Sequence, residues 1–211
     1  MDSYTTVRAG AEAIGEYEEK RSRFIAVLVH VESEQEAAAH QAAQRTEHYD
    51  ARHHVPAWIL ADGRERASDD GEPQRTSGMP TLEVLRGASL RDVCCVTTRY
   101  FGGTLLGAGG LVRAYTAAAQ AAVAAAREAG QLVEMTSVVS VDVVLAYPEY
   151  QRVLDLAERA GAHVTGTDYT DAVTLHLVFR AGEEQPFLAQ LREVLAGRDV
   201  ATVSAPRFAE F

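Results

Sequence analysis

The sequence predicts an α+β protein built from two domains, residues 1–135 and residues 136–211. Short apolar runs rich in β-branched residues alternate with segments whose apolar residues recur at helical spacing. In the last third of the chain these segments follow the order β-α-β-β-α-β, which is typical of a ferredoxin-like module. The chain has 211 residues, of which 47% are apolar and 24% charged, so it can bury the cores that two such domains need.

In the first domain, strands and helices are predicted to alternate as far as Gly130, which can end the last helix. Ser33 followed by Glu36 predicts a capping box at the start of the first helix. A polar segment, residues 62–78, has little apolar content and is predicted to be a loop. The predicted strands are residues 23–31, 55–61 and 93–100, and the predicted helices are residues 34–45, 81–86 and 111–129.

The second domain begins with a β-branched run at residues 138–145, which predicts a strand. Pro148 then opens a helix, because proline is favoured in a first helical turn, and Gly161 ends it. A hairpin with its turn at residues 170–171 follows, and a second helix and a last strand close the module. The other predicted strands are residues 163–169, 173–179 and 200–203, and the second helix is residues 186–195. We expect both helices to cover one face of an antiparallel sheet.

Composition and charge argue against several classes of protein. Twenty basic and thirty acidic residues give a net charge of −10, which disfavours a protein that coats nucleic acid indiscriminately but leaves room for a local basic patch. No apolar run approaches the roughly 18 residues of a membrane-spanning helix, and the first residues do not resemble a secretory signal. Cys94 and Cys95 lack metal or redox spacing, so we expect reduced thiols and a cytoplasmic protein. We expect neither a membrane partner nor sequence-specific reading of DNA.

The sharpest local feature is the glycine-rich segment at residues 101–110, between a predicted strand and a predicted helix. Glycine allows close approach of the backbone, and free amides at a helix N-terminus can hold an anion. Arg99 precedes the segment and Arg113 lies in the first turn of the predicted helix, so we expect both guanidinium groups to project into solvent and grip a phosphate or carboxylate. The segment is neither a P-loop nor a GxGxxG motif. A tight glycine turn with close packing is the alternative.

Two other segments carry candidate side chains. Asp69, Asp70 and Glu72 form an acidic loop that could bind a divalent cation, pair with nearby arginines or cap the following helix. The loop lacks EF-hand spacing, and we expect neither a metal nor another cofactor. His53, next to Arg52, is a candidate hydrogen-bond donor to a ligand or to the acidic loop. The segment has no HExxH pattern, which argues against a zinc site. No Ser-His-Asp or Cys-His arrangement can be assigned, so no residue is predicted to be catalytic.

Taken together, four motifs in this order resemble the YigZ/IMPACT family, over most of the chain. They are Lys-Arg-Ser-Arg-Phe at 20–24, Asp-Ala-Arg-His-His at 50–54, Ser-Asp-Asp-Gly-Glu-Pro at 68–73, and Thr-Arg-Tyr-Phe-Gly-Gly at 98–103 with Leu-Gly-Ala-Gly-Gly-Leu-Val-Arg-Ala-Tyr at 106–115. The resemblance implies a ribosomal protein S5 domain 2-like domain followed by a ferredoxin-like domain, both similar to the last two domains of elongation factor G. Eukaryotic relatives regulate translation by competing for the activator of an amino-acid-starvation kinase, with an added N-terminal domain that this sequence does not include.

For bacterial members the resemblance implies a role at the ribosome or on nucleic acid, without an established reaction. We therefore expect a non-catalytic regulator of translation that binds RNA, the ribosome or a translation factor, with Tyr100 and Tyr115 as stacking residues. The alternative is an enzyme that acts on a small molecule bearing a phosphate. The candidate anion- or RNA-binding residues are Arg52, His53, Arg75, Arg99, Tyr100, Gly102, Gly103, Gly107, Gly110, Arg113 and Tyr115.

Departures from the family pattern bear on this expectation. Members usually carry Gly, Ala and Lys at the positions of Arg75, Ser77 and Met79, and many carry Lys at the position of Leu105. The missing lysines weaken the argument for phosphate binding at the acidic and glycine-rich segments. Arg75 restores one positive charge.

Overall fold

The computed structural model describes residues 3–211. The chain forms two compact units, Tyr4–Val133 and Glu134–Phe211, the second together with Ser3. Each unit has a hydrophobic core of its own, and the α+β fold class is confirmed. Within the described residues, no helix has both the length and the apolar composition needed to cross a membrane.

The N-terminal unit contains an antiparallel sheet that carries helices on both faces. The strands of this sheet are β2 (Glu12–Glu19), β3 (Ser22–His30), β4 (His53–Ile59), β5 (Glu65–Ala67) and β6 (Val93–Tyr100). Strand β1 (Ser3–Val7) precedes them in the chain and is not part of this sheet. The helices of the unit are α1 (Glu34–Glu47), α2 (Gly78–Gly87) and α3 (Gly107–Glu128). Five strands pair in the order β2-β3-β6-β4-β5, with β6 in the centre.

The two faces of this sheet bury two different clusters of apolar residues. Helices α2 and α3 cover the larger core, in which Phe24 and Leu28 of β3 contact the buried stripe of α3. Helix α1 covers the other face, where Ala37 packs near Trp58. Because neighbouring residues of a strand point to opposite faces, Cys95 lies in the larger core and Cys94 lies under α1. Both are free thiols, as expected, and burial raises the pKa of Cys95 to about 12.

The C-terminal unit is the predicted ferredoxin-like module. Its strands are β7 (Leu132–Leu145), β8 (His163–Tyr169), β9 (Val173–Arg180), β10 (Ala201–Val203) and β11 (Arg207–Glu210), and its helices are α4 (Tyr150–Arg159) and α5 (Glu184–Val194). The strands pair antiparallel in the order β10-β7-β9-β8, and β11 extends the pairing along β7. Buried residues of both helices, such as Val153 and Phe187, share one core with the inward side chains of β7 and β9.

Candidate functional site

The candidate site lies at the end of the N-terminal sheet where β6 ends, β4 begins and α3 starts. In the strand registers, Arg99 of β6 is opposite Phe24 of β3 and opposite His53 of β4. The acidic loop reaches the same place, because His53 Nδ1 lies 2.8 Å from the carbonyl oxygen of Asp70. The structure therefore brings together three segments that are far apart in sequence.

Arg99 forms a buried ion pair with Glu72. Its Nη1 lies 2.7 Å from Oε1 and 2.9 Å from Oε2 of Glu72, and the two side chains are only 8% and 3% exposed. The rings of Phe24 and Phe101 lie 5.5 and 5.7 Å from the guanidinium carbon of Arg99. The expectation that Arg99 and Arg113 project into solvent together is therefore wrong, because Arg99 is enclosed by an acidic partner and two aromatic rings.

Tyr115 belongs to the same buried cluster. Its hydroxyl donates a 2.8 Å hydrogen bond to Glu72 Oε1, and its ring makes an edge contact with Phe24 at 5.1 Å. Burial, followed by the charge of Glu72, raises the pKa of Tyr115 far above its usual range, so the phenol stays protonated. Tyr115 is fully buried and does not offer a stacking surface, contrary to expectation.

Tyr100 is half-buried at the end of β6. Its hydroxyl donates to Asp50 Oδ1 at 3.2 Å and lies 2.9 Å from His48 Nδ1. Its ring meets the imidazole of His48 edge to face at 5.9 Å. Partial burial and the hydrogen bond to Asp50 raise the pKa of Tyr100. These contacts fix the loop that carries Asp50 against the end of the central strand.

Asp69 caps the N-terminus of α2. Its Oδ1 accepts hydrogen bonds from the backbone N–H groups of Ser77 and Gly78 at 3.1 and 3.0 Å and from the Ser77 hydroxyl at 2.9 Å, while Oδ2 accepts from the Arg75 N–H at 2.7 Å. Burial alone would raise the pKa of Asp69, but these donors outweigh it and lower the pKa below its usual value. The carboxylate therefore acts as the helix cap that the sequence allowed as one alternative.

Asp70 joins the acidic loop to β4 and α1. Its Oδ2 accepts from the backbone N–H of His54 at 2.6 Å, and its other oxygen forms an ion pair with Arg45. All three carboxylates of the acidic loop are thus engaged with protein groups. In the described part of the chain, no cluster of three His, Cys, Asp or Glu side chains could hold a metal ion.

The glycine-rich segment divides into a loop and a first helical turn, because α3 begins at Gly107 rather than at the predicted residue 111. At Gly102, an added Cβ would lie 2.1 Å from the carbonyl carbon of Arg21, so this position requires glycine for close packing. Gly103 and Gly107 have φ of 81° and 72°, which favour glycine. Gly110 is buried in the first turn of α3. These glycines shape the backbone, as the alternative interpretation expects.

Four exposed cations surround the loop between β6 and α3, and we call them the basic rim. They are Lys20, Arg21, Arg52 and Arg113. Among the described residues, only Arg113 of this set has an acidic neighbour at ion-pair distance, Glu19 at 3.9 Å, and its side chain is 70% exposed. Lys20 and Arg21 reach the site because the Gly102 N–H donates to Ser22 Oγ at 3.0 Å, directly after the turn.

Two exposed apolar side chains lie within the basic rim. Phe101 is 57% exposed and Leu105 is 82% exposed. Both line a cleft of about 580 Å³ whose other walls come from the ends of β4 and β6 and the preceding loop. The residues lining the cleft are Asp50, Ala51, Arg52, His53, Arg99, Tyr100, Phe101 and Leu105. Lys20, Arg21 and Phe101 lie in the family-like motifs but are not among the residues predicted from the sequence. The available signal was the presence of cations and an aromatic residue in these motifs.

Arg75 is not part of this rim. It is exposed, has a φ of 64°, and lines a separate groove of about 870 Å³ between α2 and α3. Apolar side chains such as Val84, Val112 and Val123 form most of that groove. The structure therefore separates Arg75 from the other candidate cations.

Comparison with known proteins places this architecture in a family. The Impact N-terminal domain matches residues 20–123, and a domain of unknown function, DUF1949, matches residues 143–198. The IMPACT family member YigZ of Escherichia coli (strain K12) is 33% identical over 203 residues, which cover 93% of this chain and 96% of that protein. The IMPACT family member YvyE of Bacillus subtilis (strain 168) is 45% identical over 117 residues, 54% of this chain and 53% of the relative.

A solved structure agrees with these matches over nearly the whole chain. A crystal structure described only as that of a hypothetical protein is 31% identical, has a TM-score of 0.63, and covers 97% of this chain and 98% of its own. An IMPACT family member of Haemophilus influenzae is 35% identical over 196 residues, covering 87% of this chain and 89% of the relative. The sequence resemblance is thereby confirmed, and the chain belongs to the IMPACT family.

Proposed function

We propose that this protein is a non-catalytic, translation-associated regulator of the cytoplasm that binds RNA at the ribosome through the basic rim. The observation that carries the proposal is the grouping of four exposed cations around exposed Phe101. Backbone phosphates attract such cations, and an exposed aromatic ring offers a stacking surface to an unpaired base. The translational role implied by the family resemblance supports the same conclusion.

The turn between β2 and β3 gives a second reason for a binding role. Lys20 and Arg21 occupy a two-residue hairpin loop with φ of 50° and 65°. Positive φ at both positions is the geometry of a type I′ turn, for which Asn-Gly is strongly preferred. Two long cationic side chains are therefore held in an unfavourable backbone conformation, and such strain is concentrated at functional sites.

The enzyme alternative lacks a comparable observation. A phosphate-handling enzyme would need a general base or metal ligands near the glycine-rich segment. In the structure Asp69 caps a helix, Asp70 binds β4 and α1, and Glu72 neutralises buried Arg99. The rim cations and Phe101 remain available for a ligand, which favours binding over turnover as the role of this surface.

The experiment replaces the strained turn by its preferred sequence. In Lys20→Asn/Arg21→Gly, we expect the free energy of unfolding to rise by about 1 kcal/mol, because both left-handed positions become relaxed. We expect affinity for ribosomes, measured by co-sedimentation at low salt, to fall by about tenfold, because two phosphate contacts are lost. A gain in stability together with a loss of binding excludes misfolding as the cause.

The matched control removes the same number of charges elsewhere. Arg152 and Arg159 are exposed on α4 of the C-terminal unit, so Arg152→Ala/Arg159→Ala produces the same net charge. We expect its ribosome affinity to stay within about twofold of the parent protein. Equal loss in both double variants, or no sedimentation of the parent protein with ribosomes at low salt, would contradict the proposed function.

A further inference from the structure

The cleft inside the basic rim carries a more specific inference, which rests on the proposed function. We propose that this cleft holds a single unpaired guanine of the bound RNA. The guanine would stack on Phe101 and present its N7 and O6 atoms to Arg99. The cleft volume of about 580 Å³ lies within the range that small ligands occupy in proteins.

The hydrogen-bonding state of Arg99 favours a neutral ligand with acceptor atoms. Only Nη1 of Arg99 bonds to Glu72, and Nε is buried without an acceptor among the described residues. A buried donor without a partner is destabilising, so an acceptor supplied by a ligand would be stabilising. Because Glu72 already neutralises the guanidinium charge, a second anion would gain little electrostatic attraction from Arg99. The edge of a base is uncharged, and it can still accept hydrogen bonds from the N–H groups of Arg99.

Guanine matches the geometry of this donor better than the other bases. The guanidinium carbon of Arg99 lies 5.5 Å from the Phe24 ring and 5.7 Å from the Phe101 ring, and the N–H donors of a guanidinium group lie in its plane in a fixed fork. Guanine carries two acceptors, N7 and O6, side by side on one edge, and arginine pairs with them in the commonest specific contact between proteins and DNA bases. Adenine replaces O6 by a donor, and the pyrimidines lack N7.

Three other residues of the cleft complete the complementarity to guanine. Phe101 is exposed and projects an aromatic ring into the cleft wall, where a base can stack. Asp50 also lines the cleft, and it is exposed with a single 3.2 Å contact to Tyr100. Its carboxylate can accept from the N1–H and N2–H groups of guanine, which adenine lacks. Arg52, at the rim of the same cleft, is positioned to neutralise the attached phosphate.

The test compares four single-stranded RNAs, UUGUU, UUAUU, UUCUU and UUUUU, by fluorescence anisotropy with the full-length protein. We expect UUGUU to bind about tenfold more tightly than the other three, the equivalent of one bidentate contact to a base. Phe101→Ala should weaken binding of UUGUU by about tenfold, because the stacking surface is lost. The control is Tyr169→Ala, which removes a similarly exposed ring, 58% exposed, from the C-terminal unit and should leave binding unchanged.

Two further variants probe the base edge. Arg99→Lys keeps a positive charge beside Glu72 but removes the planar pair of donors, so the preference for guanine should disappear while thermal unfolding shows a folded protein. Asp50→Asn, at an exposed position, should lower the preference without a change in stability. Equal binding of the four RNAs, or UUGUU affinity that is unchanged in Phe101→Ala, overturns this inference. Salt-sensitive ribosome binding without guanine preference overturns it and leaves the proposed function intact, whereas no RNA binding at low salt overturns both.

Discussion

Arg99, Glu72 and Tyr115 form a buried polar cluster within the largest apolar core of the N-terminal unit. A buried ion pair contributes little net stability as a pair, but removal of one partner leaves the other charge uncompensated. We therefore expect Glu72→Gln to lower the free energy of unfolding by about 3–5 kcal/mol. Urea unfolding, followed by the fluorescence of Trp58, the single tryptophan, measures this change.

Arg113→Ala is the control for Glu72→Gln, because it breaks an exposed ion pair of an arginine at the same end of the sheet. Because its side chain is 70% exposed and lies 3.9 Å from Glu19, we expect a change below about 0.5 kcal/mol. Tyr115→Phe should fall between the two, since it removes one hydrogen bond to a charged group. If Glu72→Gln were as stable as the parent protein, Arg99 would have to reach water, and the buried cluster described above would be wrong.

The Asp69 cap makes a pH-dependent contribution to stability. The pKa of Asp69 is lower in the folded protein than its ordinary value near 3.8, so its stabilisation is present above that value and is lost as the pH falls through the folded pKa. We expect Asp69→Asn to be about 1–2 kcal/mol less stable than the parent protein at pH 7. Thermal unfolding between pH 7 and pH 3 should show the difference shrinking below about pH 4. A difference that stays constant over this range would contradict the role of the charge.

For individual residues, the sequence indicates which side chains could pair but not which of them do pair in the folded protein. It allowed Glu72 to pair with an arginine, yet Glu72 and Arg99 are 27 positions apart, and only the register of β4 beside β6 brings the acidic loop to Arg99. The same pattern did not show that Arg99 and Tyr115 are buried. A functional motif and a core motif contain the same residue types, and burial depends on packing between distant segments.

The elements show why some boundaries follow from sequence and others do not. The predicted strand at residues 93–100 agrees with β6 (Val93–Tyr100), because a buried central strand is a continuous run of apolar and β-branched residues. Strand β2 (Glu12–Glu19) was missed, since half of its eight residues are glutamate and it lies at the sheet edge. Helix α3 begins four residues earlier than predicted, because tertiary packing overrides the low helix propensity of its glycines.

The glycines near the junction of β6 and α3 differ in the space that a side chain would have, and substitutions at Gly109 and Gly102 test this difference. Gly109 lies in the first turn of α3, and a Cβ there would meet nothing closer than the exposed end of Arg113, 3.7 Å away. We expect Gly109→Ala to raise the free energy of unfolding by about 0.5–1 kcal/mol. Gly102→Ala should lower it by about 1–3 kcal/mol, because the added Cβ overlaps the backbone of Arg21. Chemical denaturation of both variants measures the difference, and a Gly102→Ala variant as stable as the parent protein would contradict the close packing at Gly102.

At the scale of the whole molecule, the net negative charge opposes the binding of RNA, which is itself negatively charged. Residues 1–135 hold 14 basic and 19 acidic residues, and residues 136–211 hold 6 and 11, so each domain has a net charge of −5. Neither domain attracts RNA by its overall charge. Under the proposed function, binding therefore depends on the basic rim. Its Arg52 lines the cleft, and its Lys20 and Arg21 precede Ser22, which accepts a hydrogen bond from the loop between β6 and α3.

The salt dependence of RNA binding tests whether the rim or the whole surface is responsible. Each phosphate neutralised on a single strand contributes about −0.7 to the slope of log affinity against log salt. Four rim cations therefore predict a slope of about −3, and Lys20→Asn/Arg21→Gly should reduce its magnitude by about 1.4. Arg152→Ala/Arg159→Ala changes the net charge by the same amount but leaves the rim intact, so its slope should match that of the parent protein. A slope that followed net charge in both variants would mean that RNA is attracted by the whole surface, and the basic rim would then not be the binding site.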